Sequence, residues 1–160
     1  MARIGRQAPE LDCSAWLNAD SPLALAGLRG RAVAMLAFQM LCPGCVTHAL
    51  PQLRRLRQTF DPASVAVLGL HTVFEHHEAQ GGVGPLKAFL REQGLDIPIG
   101  VDAHDPGEAL PRTMKAYGMQ GTPTLVLIDP QGRLRAQVFG HVDDMKLGAV
   151  VAGLAAGAAT

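Results

Sequence analysis

A three-layer α/β domain is predicted by three observations along the 160-residue chain. The apolar run Ala32-Val33-Ala34-Met35-Leu36-Ala37-Phe38 gives way at once to helical spacing at Val46, Leu50, Leu53 and Leu56. A second apolar run, Ser64 to Leu70, follows and completes a βαβ unit. Near the end, two short apolar runs flank Asp129-Pro130-Gln131-Gly132, which reads as a hairpin turn ahead of a closing helix.

The elements are expected in this order. Leu11–Leu17 and Pro22–Leu25 flank Asn18-Ala19-Asp20, which predicts an N-terminal hairpin. Strand 32–38 and a helix over about 44–60 come next, with Pro51 inside that helix removing a backbone bond and bending its axis. Strand 64–70 lies parallel to strand 32–38, so their carboxyl ends share an edge. The polar, Gly-rich stretch from His71 to Gly84 is a loop, and Pro85–Gln93 is a helix with Pro85 at its start and Gly94 at its C-terminal cap. An extended piece at Ile97–Val101 and a helix over Gly107–Tyr117 precede Gly121-Thr122-Pro123-Thr124. Leu125–Asp129 pairs with Leu134–Phe139, and a last helix starts near Asp143 or Asp144 and frays through the Ala/Gly-rich tail to Ala159. With no repeats and no linker, residues 1–160 read as one domain. A chain this long buries roughly 70% of the surface exposed when unfolded.

Fourteen basic and fourteen acidic residues balance, so the chain lacks the electrostatic footprint of a nucleic-acid binder. The cluster Arg54-Arg55-x-Arg57 reads as a solvated helix face, with an acidic partner surface as the competing reading. No segment is long enough to span a bilayer, and the N-terminus has no secretory apolar core. The expected location is the cytoplasm, or the periplasm if a leader has been removed.

Cys42-Pro43-Gly44-Cys45 sits where the first strand ends and the first helix begins. Helix N-termini offer unsatisfied N–H groups and the positive end of the dipole, both of which favour a thiolate. Redox chemistry is the leading reading of the pair. Half of a zinc site is the main rival, although a structural zinc site normally supplies a second CxxC or a His pair. A structural disulfide and an inert buried pair also fit the spacing. Cys13 has no cysteine neighbour and reads as a buried small hydrophobe or, in a functional role, a resolving or intermolecular thiol.

Taken together, Ala8-Pro9-Glu10-Leu11, Leu28-Arg29-Gly30-Arg31, Cys42–Cys45 with Pro51 beyond it, and Gly121-Thr122-Pro123-Thr124 resemble the TlpA/ResA branch of thiol-disulfide oxidoreductases, related to the AhpC/TSA redoxins. The resemblance spans nearly the whole chain. It implies a thioredoxin-like three-layer sandwich, a central mixed sheet with the N-terminal hairpin and an inserted loop plus helix. It further implies an enzyme without a cofactor, whose partners are protein or small-molecule thiols and disulfides together with an external thiol reductant or oxidant. By the same resemblance Cys42 is the attacking thiol, Cys45 the resolving thiol, and Pro123 a cis proline facing them, with Thr122 offering main-chain groups to a partner.

The sequence departs from the family in two respects. Met35-Leu36-Ala37-Phe38 carries no acid where thioredoxin has one, which makes His71 and Glu75 the candidates for proton transfer. The competing reading of His71–Glu78 is a solvated loop. Pro43-Gly44 replaces the Gly-Pro of thioredoxin, so its reducing potential does not carry over. Two further functions compete. Pro43-Gly44-Cys45-Val46-Thr47 resembles a peroxiredoxin segment with Cys45 as the peroxide-attacking thiolate, although Phe38 and Cys42 stand where that family has proline and threonine. Cys42, Cys45 and His71 could instead hold zinc or copper in a metal chaperone.

Overall fold

The computed structural model describes residues 2–157. Six strands form one sheet in the order β1-β4-β3-β2-β5-β6. They are β1 Cys13–Leu17, β2 Ala32–Phe38, β3 Val65–His71, β4 Ile99–Asp102, β5 Thr124–Ile128 and β6 Leu134–Phe139. β2 pairs parallel with β3 from Ala32↔Val65 to Phe38↔His71, and β3 pairs parallel with β4. β5 and β6 add antiparallel on the other side of β2, while β1 closes the opposite edge antiparallel to β4.

Alternation along β2 explains the layers, because successive side chains leave a strand on opposite faces. Ala34, Leu36 and Phe38 pack with Leu50, Leu53, Leu86, Leu90, Leu147 and Val151, which belong to helices α1 (Leu50–Thr59), α3 (Val83–Glu92) and α5 (Asp144–Ala156). Val33, Met35 and Ala37 pack with Leu25, Leu28, Met114 and Tyr117 from a 3₁₀ turn at Leu25–Leu28 and helix α4 (Arg112–Tyr117). Both faces of β2 are therefore covered, and all seven of its residues are buried.

The N-terminal hairpin is not formed. Asn18 adopts φ +57° and its side-chain amide donates to the carbonyls of Leu95 and Ile97 at 3.1 Å each, which ties the end of β1 to the approach to β4. Residues 22–25 leave in another direction. Their continuation becomes the 3₁₀ turn, whose N–H groups at Leu25 and Ala26 are taken by the Glu10 carboxylate at 2.5 and 3.2 Å.

The first helix opens as a π-helical turn, Cys45–Ala49, before α1. Leu50 N–H reaches back to the carbonyl of Cys45, and Pro51, which has no N–H to give, falls in the first two residues of the α-helical stretch. The inserted segment holds a short helix, α2 (His77–Gln80), and α3 starts two residues ahead of Pro85. Gly94 ends α3 at φ +63°, with its N–H on Arg91 and that of Leu95 on Leu90. The helix expected over Gly107–Tyr117 is confined to α4, because Pro111 stands at its N-cap in extended conformation.

α4 also has a partner that local sequence does not announce. The buried Asp102 carboxylate accepts from the N–H groups of Thr113 and Met114 at 2.8 and 3.0 Å and from the Thr72 hydroxyl at 2.9 Å. Asp143 caps α5 by accepting from Lys146 N–H at 3.0 Å. Ala158 and Ala159, at the end of the expected fraying tail, lie outside the described residues. Among the described residues no helix is long and apolar enough to cross a membrane.

Candidate active site

β2 delivers Cys42 and Cys45 to the carboxyl edge of the parallel strands. The chain leaves the sheet at Gln39 and turns back so that Cys42 N–H bonds the Gln39 carbonyl at 3.2 Å. Val46 N–H then bonds the Cys42 carbonyl at 3.1 Å, which opens the helix. Cys42 Sγ and Cys45 Sγ lie 2.6 Å apart, both as free cysteines. Cys42 is partly exposed and also accepts the Cys45 main-chain N–H at 3.3 Å, whereas Cys45 is fully buried. Burial, and next the adjoining Cys42, push the Cys45 thiol up to about 12. Main-chain donation from Gln39 and the Thr122 side chain act in the opposite sense, each favouring the Cys45 thiolate.

The loop ahead of β5 faces the pair. Thr122–Pro123 is a cis peptide, and the Thr122 carbonyl lies 3.6 Å from Cys42 Sγ. A Cβ added at Gly44 would sit 3.7 Å from Pro123 Cδ, so the proline ring packs directly over the motif. Thr124 Oγ1 donates to the Gly121 carbonyl at 2.6 Å and Gly140 N–H to that of Pro123 at 2.9 Å, which fix both ends of the loop. Cys42, Cys45, Thr122 and Pro123 are thus brought together.

His71 and Glu75 are placed differently from one another. His71 is the last residue of β3, only 2% exposed, and its Nε2 accepts the main-chain N–H of Met40 at 3.4 Å. Burial pushes its pKa down to about 4, so the imidazole is neutral at neutral pH. Neither thiol is among its hydrogen-bond partners. The solvated-loop reading fails for residues 71–73, all of them buried, and holds for the exposed Glu75 and His76, while His77 and Glu78 are exposed but belong to α2. Glu75 is one of these exposed residues, tethered by Gln39 Nε2 at 3.4 Å.

Gln39 and Gln80 are the site residues that sequence reading missed. Gln39 is fully buried and joins four groups: Nε2 donates to Glu75 Oε1 and to Thr122 Oγ1 at 3.1 Å, while Oε1 accepts from Phe74 N–H at 3.3 Å and Gln80 Nε2 at 3.0 Å. Gln80, on α2, donates also to the Glu75 carbonyl at 2.8 Å and accepts the Leu41 N–H at 3.1 Å. The only signal in the sequence was a polar residue directly after a seven-residue apolar strand.

The remaining expected roles are not assembled. Among the described residues no group of three or more His, Cys, Asp or Glu side chains could hold a metal ion, so Cys42, Cys45 and His71 do not form a metal-chaperone site. His71 instead lines a cavity of about 330 Å³ together with His77, His104 and Asp102. Cys13 is half-buried at the start of β1, and burial followed by Asp102 and Asp12 raises its pKa to about 12. In the arginine cluster Arg54 bonds the Gln93 carbonyl and Arg55 the Asp144 carboxylate at 2.9 Å, while Arg55 and Arg57 are both exposed to solvent.

The profile of the AhpC/TSA family matches residues 4–137. Among solved structures, a thioredoxin-like superfamily protein is 52% identical with a TM-score of 0.90, over 93% of this chain and 96% of its own. A thiol-disulfide isomerase from Corynebacterium glutamicum is 43% identical with a TM-score of 0.87, over 92% and 96% respectively. The thioredoxin domain of a thiol-disulfide oxidoreductase from Bacteroides vulgatus shares the fold at 19% identity, with a TM-score of 0.72 over 96% and 99%. No curated protein matches the chain. The mixed six-stranded sheet with its two helical layers is accordingly thioredoxin-like.

Proposed function

The chain belongs to the AhpC/TSA family, and from that premise we propose that it is a thiol-disulfide oxidoreductase exchanging a reversible Cys42–Cys45 disulfide with partner thiols. The observation that carries the proposal is the juxtaposition of an accessible sulfur, Cys42, with a buried one, Cys45, at 2.6 Å. In the reducing direction Cys42 Sγ attacks one sulfur of a partner disulfide. The partner S–S bond breaks, a Cys42–partner bond forms, and the departing sulfur takes up a proton. Cys45 then loses its proton and attacks Cys42 Sγ. The mixed disulfide breaks, the Cys42–Cys45 bond forms, and the second partner sulfur leaves and is protonated. Two electrons and two protons pass from the pair to the partner, and an external thiol restores the pair. An oxidised pair meeting a partner dithiol runs the same steps backwards.

Thr122 and Pro123 are proposed to receive the partner, since the Thr122 carbonyl faces Cys42 beside the ring of Pro123. Glu75, exposed beside this edge, is the proposed acceptor of protons from solvent-side steps, with His71 supporting the loop. The peroxidase reading is not favoured. It requires Cys45 as an accessible thiolate, whereas Cys45 is fully buried and its thiol is pushed up.

The test is reduction of insulin disulfides by the wild type and by the Cys42→Ser and Cys45→Ser variants. Activity should be lost in both variants, and Cys45→Ser should trap partners as mixed disulfides. Wild-type activity in both variants would refute the proposal. Stopped-flow mixing with hydrogen peroxide should show oxidation no faster than that of free cysteine.

A further inference from the structure

We propose that Gln39 and Gln80 are positioning residues for the capture of a polypeptide partner: their buried amides carry the sheet past its strand ends and lock the Thr122–Pro123 loop to the segment that bears Cys42. The inference rests on the proposed exchange reaction and adds to it two residues whose side chains bond neither sulfur.

The main-chain ladders around β2 stop short of the site. β2 and β5 pair as far as Ala37↔Thr124, and the same register carried on would set Gln39 opposite Thr122. Pro123 has no N–H with which to continue it. There the Gln39 side chain takes over, its Nε2 donating to Thr122 Oγ1 at 3.1 Å. On the other side of β2 the last main-chain bond runs from Thr72 N–H to the Phe38 carbonyl at 3.1 Å. Two residues further on, Phe74 N–H meets Gln39 Oε1 at 3.3 Å. One amide thus extends both flanking ladders where the chain turns towards Cys42.

That amide cannot be turned over. A main-chain N–H only donates, so the oxygen faces Phe74 and the nitrogen faces Thr122. Gln80, on α2, is oriented in the same way: its oxygen takes Leu41 N–H at 3.1 Å, and its nitrogen gives to the Glu75 carbonyl at 2.8 Å and to Gln39 Oε1 at 3.0 Å. Gln80 therefore grips both the residue before Cys42 and the side chain that holds Thr122. The two glutamines are 0% and 1% exposed, so a bond lost here is not replaced by water.

Capture makes a demand that closing the dithiol does not. Cys42 and Cys45 are set against each other by main-chain bonds of their own turn, from Cys42 N–H to Gln39 and from Val46 N–H to Cys42. A partner disulfide must be presented by another loop, with its two sulfurs in line with Cys42 Sγ. Among the described residues the Thr122 N–H has no acceptor, and its carbonyl takes only the Cys42 thiol, at 3.6 Å. Once Cys42 is joined to a partner sulfur it has no proton to give, and that carbonyl is open to a partner N–H. A small disulfide has no main chain to offer and gains nothing from where Thr122 stands.

The two kinds of substrate are compared in a Cys13→Ala, Cys45→Ser background, where Cys42 alone reacts. One is Ellman's reagent, and the other is a short uncharged peptide whose single cysteine is capped with thionitrobenzoate. In both, the Cys42 thiolate attacks, the S–S bond breaks, thionitrobenzoate leaves as the coloured thiolate and the Cys42 proton passes to solvent. Stopped-flow absorbance gives the two rate constants, and the parent should favour the peptide more than free cysteine does. Gln39→Leu, Gln80→Leu and Thr122→Val should each lower the peptide-to-reagent ratio about five-fold, the equivalent of one hydrogen bond. Gln39→Leu combined with Thr122→Val should lower it no further. Thr122→Ser, which keeps the hydroxyl, should restore the parent ratio. A merely structural role slows both substrates alike, so an unchanged ratio in Gln39→Leu overturns the inference, as do multiplying effects of Gln39→Leu and Thr122→Val. Should Gln39→Leu not fold, an unchanged ratio in Thr122→Val overturns it instead. A parent with the ratio of free cysteine overturns the inference and leaves the exchange reaction standing. A parent that releases nothing from the peptide overturns both.

Discussion

His71 Nε2 accepts the main-chain N–H of Met40 at 3.4 Å, so a side chain at the end of β3 supports the loop that leads from β2 to the thiols. That nitrogen must be unprotonated, in keeping with the fall of its pKa to about 4 on burial. In the unfolded chain the imidazole titrates near ~6.5. Between these values the unfolded chain binds more protons, so stability falls as pH drops from about 6.5 to about 4 and levels off below. The loss attributable to His71 is on the order of 3 kcal/mol. Urea unfolding near pH ~7 and near pH ~4.5 should show a smaller acid loss in His71→Gln than in the wild type. Equal losses would contradict the assignment.

The two cysteines should differ in reactivity. With burial as the main cause, the Cys45 thiol at about 12 stays protonated in neutral solution. In a Cys13→Ala background at pH ~7, iodoacetamide should modify Cys42 of Cys45→Ser at least about ten-fold faster than Cys45 of Cys42→Ser. Labelling of Cys45 should go on rising with pH to about 10, followed by mass spectrometry. A plateau below pH ~9 would be inconsistent with a thiol so displaced.

Asp102 gathers donors from α4 and the segment after β3, and removing its carboxylate leaves buried N–H groups at Thr113 and Met114 without acceptors. Asp102→Ala should lose roughly 3 kcal/mol in urea unfolding. A loss under about 1 kcal/mol would mean that water or a rearranged α4 replaces it.

Gly69 lies in β3 under two large neighbours. A Cβ there would stand 2.6 Å from Ile99 Cδ1 and 3.2 Å from Phe38 Cε1. Gly69→Ala should destabilise by roughly 1–3 kcal/mol through overpacking. Ile99→Val removes the atom in conflict, so the double variant should lose less than the sum of the two. Strict additivity would rule out the steric account.

The elements legible in the sequence are those that depend on short-range pattern. The runs behind β2, β3, β5 and β6, the turn at Asp129–Gly132 and the cap at Asp143 are each written in residues a few positions apart. β1 was legible as a strand but not its pairing, because the choice of β4 over residues 22–25 rests on Asn18 reaching Leu95 and Ile97, nearly eighty positions away. The same holds at the site. Cys42, Cys45, Thr122 and Pro123 announce themselves by motif, whereas Gln39 and Gln80 are ordinary polar residues whose meaning lies in contacts 35 to 83 positions apart. His71 was legible as a candidate, and its burial was not, since the chain leaving β3 stays buried through Val73.

The π turn at Cys45–Ala49 makes chain length a constraint alongside residue identity. Its widened ring holds one residue more than the α turn it replaces. Deleting Thr47 or His48 would let the turn close as plain α-helix and rotate whatever precedes it by about 100° relative to α1. The letters of the dithiol would survive such an edit while its facing toward Pro123 would not. Phase, a property no single substitution alters, is therefore part of what this stretch of chain encodes.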